Sequence, residues 1–163
     1  LIDAGITTAL GNKQTLNDFL GFLHGMSVGD ADVITDSLLR LSTKYDEDTQ
    51  TIKVDAENQL RGVLKVDVQT SCDRWINRQV LEDTGVAQAP DGSPVPVGDL
   101  MGDLLQCMSK NNVQLRGDVA TTVVTIAMCE GLVRQLDPKI DMLVESVPYI
   151  RKYCDFETLT KFI

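Results

Sequence analysis

Two kinds of residue in this sequence could do chemistry: carboxylates set against apolar or turn-forming neighbours, and four cysteines with a single histidine. Glu130 belongs to the stretch Leu115 to Pro138, LRGDVATTVVTIAMCEGLVRQLDP, and falls on its row Val119–Val123–Ile126/Ala127–Val133. At the helical period that row aims a carboxylate at the core. Arg134 lies four residues on, where a guanidinium and a carboxylate can meet. The expected role of Glu130 is therefore a buried structural anchor, paired with Arg134 or with a cation elsewhere. Asp3 sits in Leu1-Ile2-Asp3-Ala4-Gly5, which reads as a short strand ending in a glycine turn. Cys72, Cys107, Cys129 and Cys154 are far apart, with no C-x-x-C pair and no histidine at ligand spacing. Zinc and thioredoxin chemistry are disfavoured, and reduced, mostly buried thiols are expected. His24 shares a helix with Leu16, Phe19, Leu20 and Leu23, which makes it structural. Asp46-Glu47-Asp48 lacks the spacing and glycine of a calcium loop and reads as a solvated connection.

The elements that must position these residues are helices. The stretch around Glu130 has a plausible N-cap at Gly117–Asp118 and stops where Asp137 precedes Pro138. It is apolar on nearly every side, so it is expected to be buried. Its uncharged run from Val119 to Cys129 is eleven residues. A bilayer needs about 20, so a core helix is favoured and no transmembrane helix is expected. A helix from about Lys13 to Met26 carries Leu16, Phe19, Leu20, Leu23 and Met26 on one face. Another, about Ala31 to Thr43, is capped by Asp30 or Asp32 and buries Val33, Ile34, Leu38 and Leu41.

From Asp55 a long helical pattern includes Leu60, Val63, Leu64, Val68, Cys72, Trp75 and Ile76, ending near Thr84–Gly85. Gly62 and Asp67 weaken it, so one bent helix or two helices both fit. Ala89 to Pro96 holds three prolines and a glycine, and is an exposed loop or a boundary between two helical units, over residues 86–97. A helix from about Val97 to Lys110 follows, with Leu100, Met101, Leu104, Leu105 and Met108 in a stripe ended by Asn111–Asn112. Asp137–Pro138 opens a shorter one carrying Ile140, Leu143, Val144 and Val147, which Pro148 must kink or restart. A last amphipathic turn or two spans Phe156 to Ile163. The expected fold class is mainly α: six or seven helices with a short N-terminal strand stub.

Composition narrows the partners. Fifteen Lys plus Arg against twenty-four Asp plus Glu give a formal net charge of −9, with 43% hydrophobic residues. Such a chain is repelled by phosphate backbones, so no nucleic-acid partner is expected. Without a Lys/Arg cluster, an anionic membrane surface is an equally poor one.

Two separated stretches resemble one family. Leu1-Ile-Asp-Ala-Gly-Ile looks like the metal-binding strand–turn of kinase-like enzymes. Asn112-Val-Gln-Leu, then Glu130-Gly-Leu-Val-Arg-Gln-Leu-Asp-Pro-Lys-Ile-Asp-Met-Leu, and Val147-Pro148-Tyr149, resemble the C-terminal signature of the aarF/UbiB family, atypical kinases tied to coenzyme Q biosynthesis. The resemblance implies that residues 1–163 are the C-terminal helical part of a kinase-like domain, cut just before the metal-binding turn. It implies Mg²⁺ held by Asp3 against the nucleotide phosphates, with ATP and Mg²⁺ serving the full-length parent. Ala4 stands where protein kinases carry Phe, which points to an ATPase-like or unorthodox kinase activity.

This chain holds no Gly-rich phosphate loop and no phosphate-pairing Lys on a strand, so it is not expected to bind nucleotide or run phosphoryl transfer alone. The resemblance further implies a mitochondrial location in a eukaryote, and protein or membrane partners in quinone biosynthesis. The alternative from the residues themselves is a non-catalytic, all-helical interaction or scaffold domain.

Overall fold

The computed structural model describes residues 13–46, 51–52 and 57–153. The described chain is mainly α. Its elements run α1 (Lys13–Val28), α2 (Ala31–Arg40), β1 (Tyr45–Asp46), β2 (Thr51–Ile52), α3 (Glu57–Trp75), β3 (Asn77–Val80), β4 (Ala87–Gln88), α4 (Val97–Lys110), α5 (Gly117–Leu136) and α6 (Met142–Tyr153). The strands form two separate antiparallel pairs, β1 with β2 and β3 with β4. The strand stub at Leu1–Ile2 and the turn from Phe156 to Ile163 lie outside the described residues.

The helices pack in the order α6, α1, α2, α3, α4, α5, so α5 and α6 are the two ends of a serial array. Ion pairs and hydrogen bonds fix the direction of the two central steps. Arg61 of α3 meets Asp36 and Asp32 of α2 at 2.6 and 3.2 Å, and Lys65 meets Asp32 at 2.7 Å. Asp103 of α4 accepts from Trp75 Nε1 at 2.7 Å and from Arg74 at 2.8 Å, while Asp67 accepts from Lys110 and Asn111 at the other end. Rising numbers on one helix thus meet falling numbers on the next, so α2–α3 and α3–α4 are antiparallel pairs. One core runs through the array, with Phe22, Met26, Ile34, Leu38, Leu64, Val68, Leu100, Met101, Leu104 and Met108 all sealed from solvent.

Local signals account for most boundaries. Asp30 caps α2, its Oδ1 accepting from the Asp32 and Val33 amides at 2.9 and 3.1 Å. Asn112, with φ at 55°, turns the chain out of α4. Val113 then enters the core, and Leu115 bridges Ser42 in antiparallel fashion. Asp137 is extended, as the residue before a proline must be, and ends α5.

Several expectations need correction. The long pattern from Asp55 gives one helix that stops at Trp75, and the segment to Gly85 is the start of a hairpin. Gly85, with φ at 69°, turns it back so that Val86 and Ala87 enter the core. Val63 of that pattern is exposed. The inward face of α1 is Thr15, Asp18, Phe19, Phe22 and Met26, while Leu16 is outside. The face is rotated because Gly25 lets the helix sit directly on Ile34, where a Cβ would lie 2.9 Å from Ile34 Cγ1. Asp118 is inside α5, and the N-cap is Arg116, whose side chain does not cap.

At the end of the chain, α6 begins at Met142, not at Asp137–Pro138. Asp141 caps it by accepting from the Leu143 and Val144 amides, and Ile140 is exposed in the preceding turn. The helix continues through Pro148, which is exposed, so water can serve the carbonyl its ring leaves unpaired. The proline-rich stretch closes on itself around Gly92 with an exposed tip, and its ends, Ala89 and Val95, are buried.

The largest correction concerns α5. Of its twenty residues only Val119, Val123 and Glu130 are buried. An end helix has one packed side, and an all-round apolar composition does not supply a second. Among the described residues, α5 is the one helix long and apolar enough to cross a membrane by length and composition.

Candidate functional site: the Glu130 clasp on α4

The start of α4 creates a problem that its own sequence does not solve. Pro96 occupies the N-cap position and has no side chain able to accept from the first amides of the helix. The missing acceptor comes from α5. Glu130, 5% exposed, points its carboxylate at the end of α4. Its Oε1 accepts from the Val97 amide at 2.8 Å, and its Oε2 accepts from the Gly98 amide in a very short contact. Charge favours this placement, because a helix N-terminus carries partial positive charge.

Arg134 completes the clasp. Its Nε donates to Glu130 Oε1 at 2.9 Å, the i,i+4 partner that the sequence pattern offered. Its Nη2 donates to the Pro94 carbonyl at 3.2 Å. One guanidinium therefore links α5 to the chain just before α4 while neutralising the buried carboxylate, and its outer part reaches solvent at 37% exposure. Both oxygens of Glu130 are occupied. Three donors, two on Oε1 and one on Oε2, commit the carboxylate to holding the two helices together.

The rest of the motif is spent the same way. Asp137 Oδ1 accepts from the Lys139 amide at 3.0 Å and shapes the turn after α5, and Asp141 caps α6. Val97 and Gly98 were not visible as partners from the spacing around Glu130. The signal that could have found them is Pro96, a helix start without a cap of its own.

Asp3 lies outside the described residues, so no metal geometry is assigned to it. Among the described residues no group of three or more His, Cys, Asp or Glu is placed to hold a metal ion. Cys72 is buried and Cys107 half-buried, with its sulfur 3.4 Å from Ser71 Oγ. Cys129 is exposed on α5, contrary to the expectation of mostly buried thiols. Cys154 lies outside the described residues. His24 is half-buried on α1.

A second buried acid sits where α1, α2 and the start of α5 converge. Asp18 is 3% exposed, accepts from Gln14 at 3.1 Å and lies 3.5 Å from Arg40. Burial raises its pKa above the usual carboxylate range, against the lowering influence of Gln14, Arg40 and Arg116. Arg116 donates to Thr15 at 2.5 Å, tying the N-terminal end of α5 to α1.

The fold and clasp define a helical unit whose motif residues hold helices together. Residues 93–141, which contain the whole of α4 and α5, match the model of the UbiB helical domain. The chain is similar to a mitochondrial ABC1 family protein of Saccharomyces cerevisiae, 36% identical over 59 residues, 36% of this chain and 9% of the relative. It is similar to a probable serine/threonine-protein kinase of Dictyostelium discoideum, 33% identical over 60 residues, 37% of this chain and 9% of that protein. A mitochondrial ABC1 family protein of Schizosaccharomyces pombe is 31% identical over 55 residues, 34% of this chain and 8% of the relative. No solved structure matches the chain. The resemblance to the aarF/UbiB family is thereby shown, over part of the chain.

Proposed function

We propose that this chain is the C-terminal helical part of an aarF/UbiB-type kinase-like protein, and that it supports an ATP- and Mg²⁺-dependent activity of the full-length parent in coenzyme Q biosynthesis. The observation that carries the reading is the match of residues 93–141 to the UbiB helical domain, on the stretch that forms the α4–α5 clasp. In this reading Asp3 holds Mg²⁺ against the nucleotide phosphates, where the metal offsets charge gathering on the transferred group. In the same reading the helical unit is the scaffold of that lobe. Two of the similar yeast proteins bear mitochondrial names, which supports a mitochondrial location.

The test is nucleotide binding by the full-length parent. Asp3→Asn is expected to abolish Mg²⁺-dependent ATP binding while the melting behaviour stays unchanged. Unaltered Mg²⁺-dependent binding would remove the metal role from Asp3.

One observation favours the second reading, a non-catalytic interaction or scaffold domain. Glu130, Arg134, Asp137 and Asp141 are all engaged in holding the fold. Full-length protein with no nucleotide affinity would favour that reading.

A further inference from the structure

α5 carries a surface that the array does not use. Opposite Glu130 lie Val124, Met128, Leu132 and Leu136, exposed by 51%, 58%, 61% and 86%. A four-residue spacing puts them on one stripe of the helix. Between Val119 and Leu136 the charged residues are Glu130 and Arg134, which hold each other on the packed side. Thr121 and Thr125 flank the stripe, but their hydroxyls donate to the carbonyls of Gly117 and Thr121, so they place no polar demand on a partner. Apart from Gln135, an exposed amide on the same side, the face is uncharged and apolar, and such a face on an end helix marks an interaction surface.

We propose that this face pairs with the same face of a second copy of the chain, the two α5 helices running antiparallel about a two-fold axis level with Glu130. The stripe is symmetric about that level. Val124 comes opposite Leu136 of the second copy, and Met128 opposite Leu132, so every apolar residue finds an apolar partner in a self-complementary contact. Gly131, at the rim beside the axis with open space around it, allows close approach. Burying the stripe and its copy removes on the order of 1,000 Å² from water, the low end for a specific interface, so the dimer is weak and concentration-dependent. Each copy carries −9, so added salt strengthens the pairing by screening repulsion. Neither the symmetry nor the salt response depends on the kinase-like reading.

The experiment is sedimentation velocity on the 163-residue chain across the micromolar range, at low and high salt. The expected result is a mass rising from one chain toward two with concentration, more steeply at high salt. Leu132→Glu, with unchanged helical circular dichroism, is expected to weaken association about tenfold or more. A short bismaleimide should join two chains through the exposed Cys129 beside the axis, and Cys129→Ser should lose that species. A chain monomeric at every concentration overturns the proposal, as does a dimer indifferent to Leu132→Glu. Binding of the monomer to phosphatidylcholine vesicles, lost in Leu132→Glu, assigns the face to lipid and overturns it too.

Discussion

The carboxylate of Glu130 occupies the space that a side chain on Gly98 would need. A Cβ at position 98 would lie 2.8 Å from Glu130 Oε2, closer than such contacts are found. Glycine at 98 and glutamate at 130 therefore form one device, with the missing side chain making room for the cap.

Gly98→Ala tests that relationship, because two effects oppose each other. Alanine inside a helix is worth about 1 kcal/mol over glycine. Displacing a carboxylate held by two amides and Arg134 loses hydrogen bonds worth about 1–3 kcal/mol. The clash is expected to win, and the melting temperature to fall. A higher melting temperature would show that the carboxylate is not where the structure puts it.

Glu130→Ala removes the acceptor of the buried Val97 amide and the half-buried Gly98 amide, and the partner of Arg134. Breaking a buried pair costs on the order of 3–5 kcal/mol. The outer part of Arg134 reaches water, which places the loss nearer about 2–3 kcal/mol, read as a lower urea midpoint at constant slope. Glu130→Gln keeps one acceptor oxygen and should lose less. Equal losses in the two variants would mean that packing, not the cap, is what Glu130 provides.

Asp18 predicts a pH response of unusual sign for a carboxylate. Its folded pKa is raised, so the folded state holds the proton more tightly than the unfolded chain does. The stability this contributes is complete below the unfolded value of about 3.9 and is lost as pH rises through the raised folded pKa. The stability of the natural chain minus that of Asp18→Asn should therefore decline as pH is raised from about 4. Denaturant titrations at stepped pH measure it, and a rising difference would put the charged form in the folded state's favour.

Gly25 and Gly102 are both helical glycines, yet they should respond oppositely to alanine. A Cβ at 25 would meet Ile34 Cγ1 at 2.9 Å and the Ile34 backbone amide at 3.1 Å, which forces α1 and α2 apart. The cost is about 1–3 kcal/mol. At Gly102 no atom lies within 4 Å, so alanine should stabilise by up to about 1 kcal/mol. Thermal melts of the two variants, shifting in opposite directions, check the helix packing directly.

The elements were legible where punctuation and period agreed. α4 starts and ends at Pro96 and Asn111–Asn112 as expected, and α2 begins at its Asp30 cap. Glu130 was legible as an inward carboxylate, and Arg134 as its partner, because both follow from the turn of a single helix. Val97 and Gly98 were not, since nothing local to α5 says which amides lie across from it. The hairpin after Trp75 was hidden because Ile76 continues a helical row while also leading into a strand. The open side of α5 was hidden for a different reason. Composition reports how apolar a helix is, and its place at the end of the array decides how much of it is covered.

The clasp also sets an order of events. The amides that open α4 find their acceptor 33 residues further along the chain. In a chain that ends before Glu130, the first turn of α4 has only water to satisfy its opening amides. That turn stays frayed until α5 has formed and docked, so helices α1 to α3 can assemble before the start of α4 is closed. A released chain truncated before Glu130 should accordingly be cut by proteases around Pro94 to Gly98, and the 163-residue chain should resist.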